Sequence, residues 1–198
     1  VAWKPDYAVL NDLKGFMRIP LEDTQDDAEL ARAITASSRA VDKHCYRQFG
    51  LVAAEARRYT ARWHTLLGRW VIDIDDLMST AGVVVTVEAG TITEYDLIPL
   101  NAAQEGRPWE RLEVLPTSAV QPTCKRGGVD MTAPWGWTAF PVEVVEGTLL
   151  QSSRFEARRN SPFGVAGSPE TGSELRLLSR LDPDVGVSLS DLIRRVAR

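Results

Sequence analysis

Histidine and cysteine are scarce in this chain, with two of each among 198 residues. Cys45 and Cys124 exclude a disulfide framework; free thiols fit a reducing cytoplasm, and a single bridge between the two is the lesser alternative. The histidines leave little for a metal centre. His44 adjoins Cys45, but neighbours on a helix point about 100° apart, and His64 stands among apolar and basic residues, so the reading is no metal and no cofactor. No apolar run approaches the roughly 20 residues that span a bilayer, and VAWKPDYAVL lacks the charged-then-apolar order of a signal peptide. The expectation is assembly in a cytoplasm with no membrane partner. Positive charge is also short: 23 Lys and Arg face 27 Asp and Glu, a net charge of −4, which offers no electrostatic reason to expect a phosphate-binding protein. A nucleophile paired with a base is missing too. The glycine runs KRGGVD and WGW lack phosphate-loop spacing and its lysine, and the first reads as a hairpin turn.

What is present is an ordinary globular composition, 44% hydrophobic and 25% charged. That suits one domain, or one domain with an appendage, large enough to bury a core. The charge is uneven. Residues 151–198 hold eight Lys and Arg against six Asp and Glu, leaving +2 there and −6 for residues 1–150.

Along the chain, YAVLNDLKGFMRIP places Leu10, Leu13 and Met17 at helical spacing, with Pro20 as a stop. After the acidic turn LEDTQDD, Leu30, Ile34, Ser37, Val41 and Cys45 share one face of a long helix. Thr24 with Asp27 resembles a capping box, and Gly50 lies beyond the end. Small residues on that face let other helices approach closely, and the first and third are expected to pack there. Between Arg57 and Val129 the period changes to two, in RRYTARW, RWVIDIDDL, GVVVTVEAG, TITEYDLIP and RLEVLP, which predicts a small antiparallel sheet or barrel. WGWTAFPVEVVEGTLLQSSRFEARRN opens a second long helix, with Pro141 in its first turn and Val145, Leu149, Ser152 and Phe155 on one face. Residues 160–173 include eight Gly, Pro or Ser; a short strand, ELRLL, and a last helix begun near DPDV or SLSD follow. The expected class is α+β. A helical bundle, with long helices near 24–48 and 141–159, carries an inserted small antiparallel β region and a flexible C-terminal arm ending in a short helix.

Clustered carboxylates, as in EDTQDDAE and DIDD, can do acid/base work. Acids at a helix start, or in a turn after a strand, are the stronger reading. Trp135 and Trp137 flank Gly136, where alternation puts both on one face. They read as a core plug before they read as a stacking platform, because interleaved Arg and Lys are absent there.

These segments together resemble the head-tail connector, or adaptor, proteins of long-tailed bacteriophages. In the first part the matching positions are Tyr7, Asp12, Leu13, Lys14, Ile19, Asp27, Leu30, Ala33, Ile34, Ala36, Ser37, Val41, Asp42, Cys45, Arg47 and Phe49. Later, WGWTAFPVEVVEGTLLQSSRFEARRNSPFGVAG and LDPDV are similar to the family's closing motifs, although Thr138, Gly147, Ser152 and Ser153 depart from it. The resemblance covers roughly residues 5–50 and 134–186. It implies a virion structural protein and not an enzyme: a helical-bundle subunit in a twelvefold ring beneath the portal, joined to a stopper or tail-completion protein. Phage DNA then passes through the channel without sequence-specific binding. The location implied is the head-tail interface of the virion, after assembly in a bacterial host cytoplasm.

Within that picture residues 1–159 form a single connector domain, with a helical frame at 7–50 and 135–159 and inserted strands at about 56–130. Residues 160–198 form a docking arm. Phe163 and Val165 are its candidate apolar anchors, and Arg194, Arg195 and Arg198 its candidate contacts to portal or neighbour. The alternative is that the terminal helix completes the subunit core. Glu22, Asp23, Asp26, Asp27 and Glu29 are candidates for an acidic channel lining that lets DNA slide, with helix capping as the competing explanation. Other classes stay open as well: a nucleic-acid-binding module or a small enzyme of unrecognised class.

Overall fold

The computed structural model describes residues 4–159, 165–166, 175–176 and 181–194. They fall into two compact units, one made of Gly50–Ala139 and the other of Lys4–Phe49 with the chain from Phe140 onward.

The first unit is all β. Its strands are β1 (Glu55–Tyr59), β2 (Arg62–His64), β3 (Arg69–Leu77), β4 (Val84–Val87), β5 (Gly90–Ile92), β6 (Tyr95–Ile98), β7 (Trp109–Val114) and β8 (Val129–Ala133). They make two four-stranded antiparallel sheets, ordered β1-β8-β4-β5 and β2-β3-β7-β6. Alternation drives this arrangement, because every second side chain of a strand faces the same way. Ile72, Ile74, Leu112 and Val114 from one sheet meet Val85, Ile92, Val129 and Met131 from the other in one buried cluster. Two residues suffice to change sheets: Thr60 and Ala61 separate β1 from β2, and Thr93 and Glu94 separate β5 from β6. Trp135 closes the cluster, its indole N–H donating to the Glu55 carbonyl at 3.0 Å. Trp137 is buried too, and its N–H donates to Asp76 Oδ2 at 2.8 Å. Between them Gly136, at φ 108°, lies so close to Gly50 that a Cβ would sit 1.8 Å from the Gly50 carbonyl oxygen. Only glycine fits there.

The second unit is helical: α1 (Leu10–Met17), α2 (Asp27–Cys45), α3 (Val142–Arg159) and α4 (Pro183–Ser188), the last followed by a 3-10 turn at Ser190–Leu192. Ala8, Leu13, Leu30, Ile34 and Leu149 form its apolar cluster. Ala33, Ser37 and Ser38 on the buried face of α2 leave room for α3, and Ser152 Oγ donates to the Ala33 carbonyl at 3.4 Å. On the other flank of α3, Val185 and Leu189 are buried. A Cβ on Gly147 would lie 3.1 Å from Val185 Cγ1, so the glycine in α3 marks where α4 sits. Residues 165–166 pair antiparallel with 175–176.

The architecture corrects the expected helical bundle. Over the described residues the protein is mixed α and β, with two four-stranded antiparallel sheets and four short helices of 8, 19, 18 and 6 residues. The strands are no minor insert, because their apolar faces close a core of their own. The helices are too few and too short to be the main body: α1 offers about two turns and α4 less. Three local expectations change as well. No side chain caps α2, since Asp27 is drawn away to Lys14. That helix ends at Tyr46 in the left-handed region, φ 54°, well before Gly50. The KRGG stretch is a tight turn, closed by Gly128 N–H to the Lys125 carbonyl at 2.9 Å, but it leads from one sheet to the other and joins no hairpin.

Candidate functional site

The sequence points first to the acidic turn between α1 and α2. Its organiser is Lys14, which α1 projects inward and which is only 2% exposed. The ammonium lies 2.5 Å from Asp27 Oδ1 and donates to the carbonyls of Asp23 and Leu21 at 2.7 and 3.3 Å. An ammonium has three donor positions and no acceptor, so these partners saturate it and fold the turn around it. Asp26 pairs with Arg159 at 2.9 Å, and Glu29 pairs with Arg32 one turn on. Asp23 Oδ1 accepts from the Gln25 N–H at 3.2 Å, an Asx-type turn. Of the five acids proposed as a lining, three therefore have a cationic partner. Glu22 and Asp23 are exposed, with no ion-pair partner among the described residues.

At the other end of α2 the sign reverses. Arg39 and Lys43, four residues apart, share one face of α2, and Arg47 follows just beyond the helix end. With Lys4 they line a surface cleft of about 550 Å³ that also includes Asp42, Tyr46 and Gln48. Among the described residues its lining holds four cations and one carboxylate. Arg39 is committed to structure: its guanidinium donates to the Lys4 and Pro5 carbonyls at 2.7 and 2.5 Å and lies 2.9 Å from Asp42 Oδ2. Asp42 also accepts from the Tyr7 hydroxyl, which in turn accepts from the Phe49 N–H at 3.0 Å. Burial raises the Tyr7 phenol well above its ordinary value, and the bond to Asp42 adds to that. Burial likewise raises the Asp42 carboxyl, while its bonds from Tyr7 and Arg39 pull the other way. The cations at the cleft mouth are Lys4 and Lys43, beside Tyr46, which is 70% exposed.

The third candidate is the C-terminal segment. Phe163, Arg195 and Arg198 lie outside the described residues, as does the side chain of Val165. Arg194 is half-buried, and its N–H donates to the Cys45 carbonyl at 2.8 Å, supplying a donor to the end of α2. Asp182 pairs with Arg154 and caps α4 through Asp184 N–H, while its own N–H donates to Gln151 Oε1 at 3.1 Å. Residues 181–194 thus pack on α3.

Among the described residues no three His, Cys, Asp or Glu are grouped to hold a metal ion, and no helix is long and apolar enough to cross a membrane. A second cleft, between β4, β8 and the KRGG turn, is lined by Arg58, Lys125 and Arg126, of which Lys125 pairs with Glu88 at 2.9 Å and Arg58 with Asp130 at 3.1 Å.

Comparison with solved structures finds a structural likeness. The chain aligns with a chain of the solved structure described as "Neck of native GTA particle computed with C12 symmetry". The alignment covers 92% of this chain and 97% of that one, at 20% identity and a TM-score of 0.42. At that level the likeness by itself assigns neither fold nor function. No protein-family model and no curated protein matches the chain.

The basic cleft was not among the residues singled out from sequence. Part of its signal was available in the helical spacing of Arg39 and Lys43; Lys4, remote in sequence, is brought in by the Arg39 bonds to the Lys4 and Pro5 carbonyls.

Proposed function

We propose that the chain is a structural protein of the neck of a phage-like particle, an adaptor that forms a ring beneath the portal and joins capsid to tail or stopper protein. DNA would pass through the ring without being read. What supports this is the mutual dependence of the residues that carry the adaptor resemblance. Tyr7, Asp42 and Phe49 form one hydrogen-bonded chain, and Lys14 holds Asp27. Motif positions far apart in sequence meet in one helical unit, as expected if the motif encodes a subunit body rather than a catalytic centre.

Residues 160–198 are proposed to dock on portal or neighbour. Truncation is a poor test of that, since it would remove Val185 and Leu189, which are buried in the unit. A better test is deletion of the gene from a particle-producing strain, followed by electron microscopy. Tailless heads that lose their DNA are expected; normal tailed particles would refute the neck reading.

A further inference from the structure

Residues 181–194 lie along α3 and the end of α2 as a strap. Its helix, α4, has six residues, well below the roughly 12–15 that an isolated helix needs to persist in water, so it depends on the groove that receives it. Val185 and Leu189 are buried there, Val185 opposite Gly147 of α3, and Gly186 faces His44 of α2, whose ring an added Cβ would reach at 3.9 Å. Asp182 pairs with Arg154, its N–H donates to Gln151 Oε1 at 3.1 Å, and the Arg194 N–H donates to the Cys45 carbonyl at 2.8 Å. The outer side is open to solvent, with Val187 74% exposed.

A docking arm asks the same residues to leave for a neighbour. An emptied groove would uncover the seats of Val185 and Leu189 and strip partners from Gln151, 3% exposed, and Arg154, 20% exposed. Buried polar groups left unpaired are costly. Both demands are met together if every strap that departs is replaced by an identical one. The sequence that fits this groove in the structure is residues 181–194, and a second copy presents it with the same side chains at the same spacing. Residues 160–180 connect α3 to the strap. Even with residues 165–166 kept paired to 175–176, the stretches on either side of that pairing reach about 35 Å when extended, longer than α2 at about 28 Å.

We infer that the strap is an exchangeable element: residues 181–194 of one copy seat in the groove of α2 and α3 of the next copy. Closed and exchanged forms make the same contacts in the groove, so the balance between them is set by the connection and by concentration. A strap passed always to the next copy joins different faces of successive subunits, a heterologous contact that repeats around a ring. The inference rests on the ring-forming reading above and supplies a link between neighbouring subunits.

The test is a cysteine pair across the groove. An added Cβ at Gly147 lies 3.1 Å from Val185 Cγ1, so Gly147→Cys with Val185→Cys, in a Cys124→Ser background, places two thiols within disulfide reach. The full chain carrying both is refolded at rising concentration up to about 1 mM, the effective concentration that a short tether supplies, then oxidised and run on a denaturing gel without reductant. A single band at the chain mass is expected when dilute, and at the highest concentration about half of the material should stand in a ladder that extends past two copies. A Gly147→Cys chain refolded together with a Val185→Cys chain should give covalent dimers, since each link then joins two chains. Circular dichroism of the reduced proteins checks their folds. The unsubstituted chain answers without any cysteine: in a mixture of isotope-labelled and unlabelled copies, nuclear magnetisation should pass from the Val185 methyls of one copy to Gly147 of another. A single band at every concentration, with no such transfer between copies, would overturn the exchange, and a ladder that stops at two copies would overturn its head-to-tail order. Loss of the neck reading shows in particles and loss of the exchange in purified protein, so the two fail separately.

Discussion

Lys14 and Asp27 form an ion pair of 2.5 Å in which the lysine is almost wholly buried and the aspartate about one-third exposed. The pair closes α1 onto the start of α2, and the two carbonyls that share the ammonium fix the path of the acidic turn. Removing one partner from a buried pair leaves the other uncompensated. Lys14→Ala should cost about 3 kcal/mol in urea unfolding, whereas disrupting the exposed Arg32–Glu29 pair by Arg32→Ala should cost under about 0.5 kcal/mol. Equal effects would mean that the turn is organised some other way.

Two glycines should respond in opposite directions. Gly136→Ala forces a Cβ into the Gly50 carbonyl at a φ that disfavours any side chain, and the protein should be insoluble or lose more than about 4 kcal/mol. Gly15→Ala lies in α1 with open space around it and should gain about 0.5–1 kcal/mol from helix propensity. Thermal denaturation of both variants checks the contrast.

The thiols differ in reactivity. Burial pushes the Cys45 thiol up to about 12, and Cys124 is exposed. A thiolate is the reactive form, so a thiol reagent should label Cys124 quickly in the folded protein and reach Cys45 only in denaturant. Rapid labelling of both under native conditions would contradict the burial of α2.

Asp42 contributes a pH dependence of defined sign. Its carboxyl is raised in the folded state, so the native protein binds that proton before the unfolded chain does. Stability from this group therefore increases as pH falls through the folded value and levels off below the ordinary carboxylate value of about 4. Asp42→Asn should lack that component, visible as a difference in the two stability-against-pH curves. A group lowered by its arginine would give the opposite slope.

Tyr46→Gly tests whether a residue is retained at a structural cost. Glycine accepts the left-handed conformation freely, so the variant should be more stable by about 1 kcal/mol. Thermal denaturation beside wild type checks it, and a variant no more stable than wild type would mean that contacts of the aromatic ring offset the backbone cost.

The helices were legible because apolar spacing reports them directly. Leu30, Ile34, Ser37, Val41 and Cys45 were read as one face of α2, and all five are buried. The face of α3 was read less well: Val145 and Phe155 are only half-buried, while Val144, Gly147, Thr148 and Gln151 are buried instead. The reason is that α3 packs α2 on one flank and α4 on another, so its buried surface is wider than one apolar stripe. The two sheets were not legible. Period two says that a strand is half-buried, not which partner it takes, and RRYTARW reads as one run although Thr60 and Ala61 move it between sheets. The acidic turn was visible as charge, but Lys14, which neutralises part of it, sits on a different helix and emerges only in three dimensions.

The helical unit is assembled from both sides of the all-β unit in the sequence, and the Cys45 carbonyl takes a donor from residue 194. On the ribosome, Gly50–Ala139 emerges whole while α2 still lacks α3 and α4, and domains generally fold as units during synthesis. The sheets should therefore be native before the helices have their partners. Any surface made by the ends of α2 would be withheld from neighbouring copies until translation has delivered the last turn.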